Sequence, residues 1–210
     1  MPDEPNRDGP GLDAHLREHA LGGETLLSGG FLEVHRDTVR LPDGSTATRE
    51  YIRHPGAVAV IPLLGDGPDP DVVLVRQHRY PIDRVLLEWP AGKREAGEPT
   101  RACAERELLE ETGYSAAEWA WGGWIHNAPA YSSEGIALWF ARGLQPGPAR
   151  PDAGEFVETV TMPLSALSAL DDRGELTDVK TLIGLHWLKA ALTGNRPWVW
   201  TRADRAPDVA

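Results

Sequence analysis

"AGKREAGEPTRACAERELLEETGY", residues 91–114, carries six glutamates in twenty-four positions. Five of them, Glu98, Glu105, Glu107, Glu110 and Glu111, fall around a single helical pattern. Pro99 suits the first position of that helix and Gly113 the position just past its end, so the pattern predicts a helix from about 99 to 113. Glu107 and Glu111 are four apart and share a face, and Glu110 lies three from Glu107 on its edge. On an exposed helix each such like-charge pair costs about a few tenths of a kcal/mol, which a protein tolerates as a solvated acidic face. The other reading is a platform for a hard divalent cation, since Mg²⁺ prefers carboxylate oxygens and retains several waters. The flanks favour the platform. Gly92 and Gly97 bracket the loop before the helix, and Arg106 stands beside the carboxylates as an anchor for that loop.

The remaining composition bounds what surrounds this segment. A chain of 210 residues with 41% hydrophobic and 25% charged residues suits one main soluble domain, and its 18 Pro and 22 Gly imply many loops. No apolar run approaches the length of a membrane helix, and "MPDEPNRDGPGLD" has no signal-peptide core, so no membrane partner and a cytoplasmic location are expected. The only cysteine, Cys103, has no internal partner for a disulfide. A net charge of −11 without a block of Lys and Arg argues against nucleic acid as a partner. A small anionic ligand remains compatible with that charge if metal ions reverse the local potential.

Working outward, "GGFLEVHRDTVRLPDGSTATREYIRHPG" reads as two strands joined at "PDG". "AVAVIPLL" and "VVLVRQHRY" read as buried strands. Further strands are expected at about 116–125, 136–142 and 156–161, with helices near 163–170 and 177–192 and a Pro/Gly-rich loop at "GLQPGPARPDAGE". The order is mixed α and β without a βαβ repeat. Residues 1–20 and the tail "TRADRAPDVA" are polar and aperiodic and are expected to fray.

Gly92, five residues, Glu98, seven residues and then "RELLEETGY" from Arg106 to Tyr114 resemble the Nudix box, G-x5-E-x7-R-E-U-x-E-E-x-G-U, with U a bulky apolar residue. Leu108 fits U, and Tyr114 is aromatic where aliphatic residues are commoner. The resemblance implies a loop-helix-loop that binds divalent metal, Mg²⁺ or alternatively Mn²⁺, and hydrolyses a nucleoside diphosphate linked to another moiety. It implies Glu107 and Glu111 as principal metal ligands, Glu110 on a metal or its water, Glu98 completing the cluster, and a carbonyl from Ala91.

Three features outside the box resemble the ADP-ribose pyrophosphatase branch of that family. "REYIRHPGAVAVIPLL", "VRQHRYP" and "LLEWPAGK" follow one another as they do there, which implies pyrophosphate contacts from Arg79 first, and from Arg49 and Arg53. Pro129 lies sixteen residues past Gly113 in "APAYSSEG", similar to the branch's P-G-F-S-x-E, with Ala130 and Tyr131 replacing its Gly and Phe; Glu134 matches its acidic residue near the terminal ribose. "AGEFVETVTMPL" resembles the segment bearing a catalytic carboxylate, for which Glu155 is the nearest match and Glu158 or Asp152 the alternatives.

The resemblance implies an α/β fold, a Nudix-type α/β/α sandwich with a mixed sheet and an N-terminal β-rich extension over 21–54, a catalytic domain over 55–197 and a tail over 198–210. It further implies a homodimer through the extension, and hydrolysis of ADP-ribose to AMP and ribose 5-phosphate. The alternatives are another nucleoside diphosphate sugar, such as GDP-mannose or ADP-glucose, or a non-catalytic ADP-ribose sensor. Phe31, Tyr51, Trp121 and Trp124 are candidates to stack on the base, although a core or interface role suits any of them. His54 and His126 lack metal-ligand spacing and read as structural or polar contacts. Cys103 reads as a packed thiol.

Overall fold

The computed structural model describes residues 13–150 and 154–204. The start of the expected N-terminal fray (1–12), Asp152 and the last residues of the expected tail (205–210) lie outside the described residues. The chain divides into two units, one of Met1–Gly56 with His126–Gly135 and one of Ala57–Ile125 with Ile136–Ala210.

In the smaller unit β1 (His19–Ser28), β2 (Glu33–Arg40) and β3 (Thr46–Arg53) form an antiparallel sheet in that order. The expected "PDG" turn joins β2 to β3. Gly44 takes φ +86°, and the Asp43 carboxylate accepts from the Ser45 N–H at 2.9 Å. The strand β1 corrects the expectation that residues 1–20 fray and that only two strands precede the core. Its sequence HALGGETLLS has no alternation, and every residue in it is exposed. It is held by backbone pairing with β2, with register shifts at Ala20/Gly22 and Thr25/Leu27, so no burial pattern marks it. The segment 126–135 is tied to β3, where the Ile52 N–H donates to the Tyr131 carbonyl (2.8 Å) and the Ser133 N–H to the Ile52 carbonyl (2.9 Å).

The larger unit holds β4 (Ala57–Leu64), β5 (Asp71–Arg79), β6 (Arg84–Glu88), β7 (Ala91–Lys93), α1 (Thr100–Thr112), β8 (Tyr114–His126), β9 (Gly135–Pro146), β10 (Val157–Pro163), α2 (Leu164–Asp172), α3 (Val179–Leu192) and β11 (Trp200–Arg202). Seven strands therefore precede the first α-helix where the sequence suggested four. The segments β6 and β7 are too short to show a period, and β11 lies in the expected tail, where three residues pair with Glu118, Trp119 and Ala120 of β8. Pro99 caps α1 in an extended conformation (φ −61°, ψ 142°), so the helix begins one residue later than expected, at Thr100.

The sheet runs β10-β5-β4-β9-β8-β11 and is mixed, since β4 and β9 are parallel and the other registered neighbours antiparallel. Alternate residues of its central strands feed two cores, which makes the unit a sandwich. Ala57, Ala59, Ile61 and Leu63 pack with Leu164, Leu167, Leu185 and Leu188 of α2 and α3. Val58 and Val60 pack with Cys103, Ala104 and Leu108 of α1. Such two-sided burial explains why β4 reads as an unbroken apolar run.

The pair β4 and β5 join only near their hairpin, at Leu63–Val72 and Leu64–Asp71. Beyond that they part. There β5 pairs with β6 and β4 pairs with β7, so residues 84–93 fill the fork between them. The Val60 N–H donates to the Pro90 carbonyl (2.8 Å) inside the fork. This wedge delivers the chain directly to α1. Among the described residues no helix is long and apolar enough to cross a membrane.

Candidate active site

The helix α1 carries its carboxylates against the wedge. Glu107 and Glu111 are buried, at 8% and 2% exposure, because they face Ala91 and Gly92. Glu111 Oε2 accepts from the Ala91 N–H at 2.9 Å. A Cβ on Gly92 would stand 2.0 Å from the Glu107 carboxyl carbon, so the glycine is required for this close approach. At the other end Gly113 (φ +75°) closes the helix by donating to the Leu109 carbonyl (2.9 Å), and a Cβ there would meet the Gly147 carbonyl at 2.4 Å.

Arg106 gathers the remaining acids. Its Nε donates to Glu98 Oε1 (3.0 Å), Nη2 to Glu98 Oε2 (3.0 Å), and Nη1 to Glu107 Oε1 (2.7 Å) and Glu110 Oε2 (2.9 Å). The Glu98 carboxylate also accepts from the Glu95 N–H at 2.9 Å, while Arg94 Nε donates to the Glu98 carbonyl at 3.0 Å. Arg106 therefore does anchor the loop, as its position suggested.

These contacts separate the electrostatics of the acids. The hydrogen bonds from Arg106 hold Glu98 down at about 2. Burial pushes Glu107 up to about 7 against the pull of Arg106, with Glu110 and Glu155 adding repulsion. Burial likewise pushes Glu111 up to about 8, helped by Glu155 and Glu107 and opposed by the Ala91 N–H and Arg79. Two desolvated carboxylates, of which Glu107 is paired with Arg106 and Glu111 is bonded by the neutral Ala91 N–H, fit a hard divalent ion, whose oxygen preference matches this donor set. Among the described residues no three acidic, His or Cys side chains already form a metal-holding group. Arg106 Nη1 occupies one oxygen each of Glu107 and Glu110 in this arrangement.

A family model described as NUDIX domain matches residues 53–182. The chain belongs to the Nudix family. A second model, the nucleoside diphosphate sugar hydrolase N-terminal domain, matches residues 18–52. The chain is 36% identical over 176 residues to the methanol dehydrogenase activator of Bacillus methanolicus, covering 83% of this chain and 94% of that one. It is 33% identical over 176 residues to the ADP-ribose pyrophosphatase of Bacillus subtilis, with the same coverage. A crystal structure of an ADP compounds hydrolase shares the fold, with TM-score 0.73 at 22% identity over 85% of this chain and 95% of that one. This Nudix hydrolase belongs to a family that generally needs divalent metal.

Around the Nudix helix the larger unit brings in two residues from outside the box. Arg79, at the end of β5, interacts electrostatically with Glu111. Glu155, preceding β10, interacts with both Glu107 and Glu111, and its Oε1 accepts from Gln77 Nε2 at 3.3 Å. Glu158 is instead exposed and paired with Arg76 (3.0 Å).

The other sequence candidates lie in the smaller unit. Arg49 pairs with Glu18, and Arg53 Nη2 reaches the Tyr51 hydroxyl at 3.4 Å. Pro129 lies in an exposed turn where the Tyr131 N–H donates to the Ala128 carbonyl (3.1 Å), and Glu134 Oε1 is 3.7 Å from His54 Nε2. His54 Nδ1 accepts from the Gly56 N–H at 3.1 Å, a polar structural contact.

Among the aromatics Phe31 is exposed and edge-on to His54 at 6.0 Å, and Tyr51 stacks on His35 at 5.5 Å. Trp121 packs on Trp124 and Trp139 at 5.8 and 5.1 Å. Cys103 is fully buried in the α1 core, and burial pushes its thiol well up, as a packed thiol requires.

Sequence reasoning missed Glu88. It is 1% exposed and takes both Nε and Nη2 of Arg79 at 2.8 Å, while Lys180 Nζ bonds its Oε2. Its only signal was an acidic residue at the end of an apolar run, "VLLEWP".

Proposed function

We propose that this Nudix hydrolase cleaves the pyrophosphate of ADP-ribose to AMP and ribose 5-phosphate with Mg²⁺. The observation that carries the reading is the set of buried Glu107 and Glu111, coupled electrostatically to Glu155 on one side and to Arg79 on another. Relatives named ADP-ribose pyrophosphatase over most of their length support the substrate.

Glu107, Glu111, Glu110 and Glu98, with the carbonyl of Ala91, would hold the metal. The metal supplies charge that neutralises the pyrophosphate and acidifies water. The chain's own groups do the rest. Arg79 offers a half-exposed guanidinium for phosphate oxygens, with Nη1 unbonded among the described residues. Glu155 takes the proton of the attacking water; its acceptor oxygens are engaged only by Gln77, a neutral donor, among the described residues. Glu158, already paired with Arg76, and Glu110 are the alternative bases. Arg49, Arg53, Pro129 and Glu134 enter this reading as substrate contacts on the sequence resemblance alone.

A homodimer is part of the same reading. The strand β1 is exposed along its whole length, with Leu21, Leu26 and Leu27 at its surface, an edge that a second copy would cover. A cytoplasmic setting agrees with a single buried thiol. The N-terminal match to nucleoside diphosphate sugar hydrolases favours, as a second reading, a different sugar on the same diphosphate.

The test is a substrate panel with Mg²⁺: ADP-ribose, ADP-glucose, GDP-mannose, diadenosine polyphosphates and NADH, with products identified. AMP and ribose 5-phosphate from ADP-ribose at the highest kcat/KM are expected. A preference for another sugar would favour the second reading, and binding of ADP-ribose without turnover would make the protein a sensor.

A further inference from the structure

Arginine has a long, flexible side chain, and its use as a phosphate ligand improves when its fork is fixed before the ligand arrives. Arg79 is fixed in this way. Its Nε and Nη2 make parallel 2.8 Å bonds to the two oxygens of Glu88, leaving the Nη1 edge of a half-exposed group. Glu88 is buried in the wedge at the end of β6, one residue before Trp89.

What holds Glu88 comes from ninety-two positions downstream. Lys180 Nζ bonds Glu88 Oε2 and also Asp178 Oδ1 (2.8 Å). Asp178 caps α3, with Oδ2 accepting from the Thr181 N–H (2.9 Å) and the Thr181 hydroxyl (2.6 Å). Thr181 Oγ1 accepts in turn from the Trp89 N–H (3.1 Å), and the Trp89 indole donates to the Thr181 carbonyl (3.1 Å). Gly184 makes room for that ring, since a Cβ there would lie 2.4 Å from the indole nitrogen. Lys180 and Thr181 of this turn thus both bond the Glu88–Trp89 step, with Asp178 holding the two of them, and that step leads through Pro90 into β7, whose Ala91 and Gly92 face Glu111 and Glu107.

We propose that Glu88 is a positioning residue for Arg79 and that the first turn of α3, through Asp178, Lys180 and Thr181, holds Glu88 in place. Burial alone would raise the Glu88 carboxyl, but the Arg79 bond and the charges of Lys180 and Arg79 keep it lowered and ionised. Because Lys180 shares the carboxylate, Glu88 orients the guanidinium without cancelling its charge by itself. The proposal rests on Arg79 being a diphosphate ligand.

A mutant cycle of Arg79→Ala, Glu88→Gln and the double variant tests it, read in Kd for ADP by calorimetry with Mg²⁺ and checked for folding by circular dichroism. ADP carries the diphosphate and requires no turnover, so failure of the ADP-ribose reading leaves this measurement intact. Glu88→Gln should weaken ADP by about 10-fold to 100-fold, the scale on which losing an outer partner of a binding group acts. In the Arg79→Ala background the same change should cost less than about twofold, because coupled residues are non-additive. If Glu88→Gln alone misfolds because Lys180 loses a buried counter-charge, Glu88→Gln with Lys180→Met removes both charges and replaces it in the cycle. An equal loss in both backgrounds, an unchanged Kd, or a wild type that does not bind ADP overturns the proposal.

Discussion

Gly92 and Glu107 are in such close register that a single Cβ at position 92 would overlap the Glu107 carboxylate, at 2.0 Å from its carbon and 2.1 Å from Oε1. The glycine of the box is there for space, since its φ lies outside the left-handed region while those of Gly97 and Gly113 lie within it. Gly92→Ala should therefore displace Glu107 and lower kcat/KM by about 10²-fold, the scale of an ångström-sized misplacement. Overpacking there should also cost about 1–3 kcal/mol of stability. Kinetics and thermal melts on the variant check both, and a fully active Gly92→Ala enzyme would refute the close-approach argument.

Glu107→Gln and Glu111→Gln should each nearly abolish hydrolysis and weaken divalent-metal binding while leaving the fold intact. Both carboxylates are buried and mutually repelling, so removing a charge relieves the metal-free protein. The check is turnover together with the melting temperature in EDTA near pH 8, where each variant should be at least as stable as wild type. Full activity in both variants would remove the metal assignment.

The same two groups give a pH signature to the metal-free protein. Their folded-state values, about 7 for Glu107 and about 8 for Glu111, exceed the ordinary 4.5, so the proton is bound more tightly in the folded chain. The stability they contribute is complete below about 4.5 and is lost as pH rises through about 7 and 8. The groups facing Glu111 are the Ala91 N–H, Glu155, Glu107 and Arg79, and those facing Glu107 include Arg106, Glu110 and Glu155. In EDTA the melting temperature should fall between about pH 5 and pH 8.5 more steeply for wild type than for the Glu107→Gln/Glu111→Gln double variant. Added Mg²⁺ should stabilise wild type increasingly over that window and release protons on binding. Parallel slopes in EDTA would contradict the desolvation argument.

Glu155→Gln should lower kcat by about 10²-fold to 10⁴-fold, the usual scale for a positioned acid–base group, with smaller changes in substrate and metal affinity. Glu158→Gln should be milder, since Glu158 is exposed and engaged with Arg76. An inactive Glu158→Gln beside an active Glu155→Gln would move the base along the strand. Two active variants would return it to the box, with Glu110 first.

Spacing along one helix is a local property, so the acidic face of α1, its glycine and proline boundaries and the anchoring role of Arg106 were legible in residues 91–114 alone. The buried strand β4 and the hairpin at Pro42–Gly44 were legible for the same reason, in an apolar run and a turn sequence. What only the tertiary structure decided are contacts between segments far apart in the chain. The exposed β1 is held by backbone bonds that carry no side-chain pattern, and the fork between β4 and β5 is filled by strands of three and five residues, too short for periodicity. Glu88 and Lys180 meet across ninety-two positions, and Glu155 reaches Gln77 across seventy-eight. Composition sets which groups are available to such pairs, but only the packing of α3 onto the sheet and the pairing of β10 with β5 determine which of them meet, because burial makes an unpaired charge too costly to leave alone.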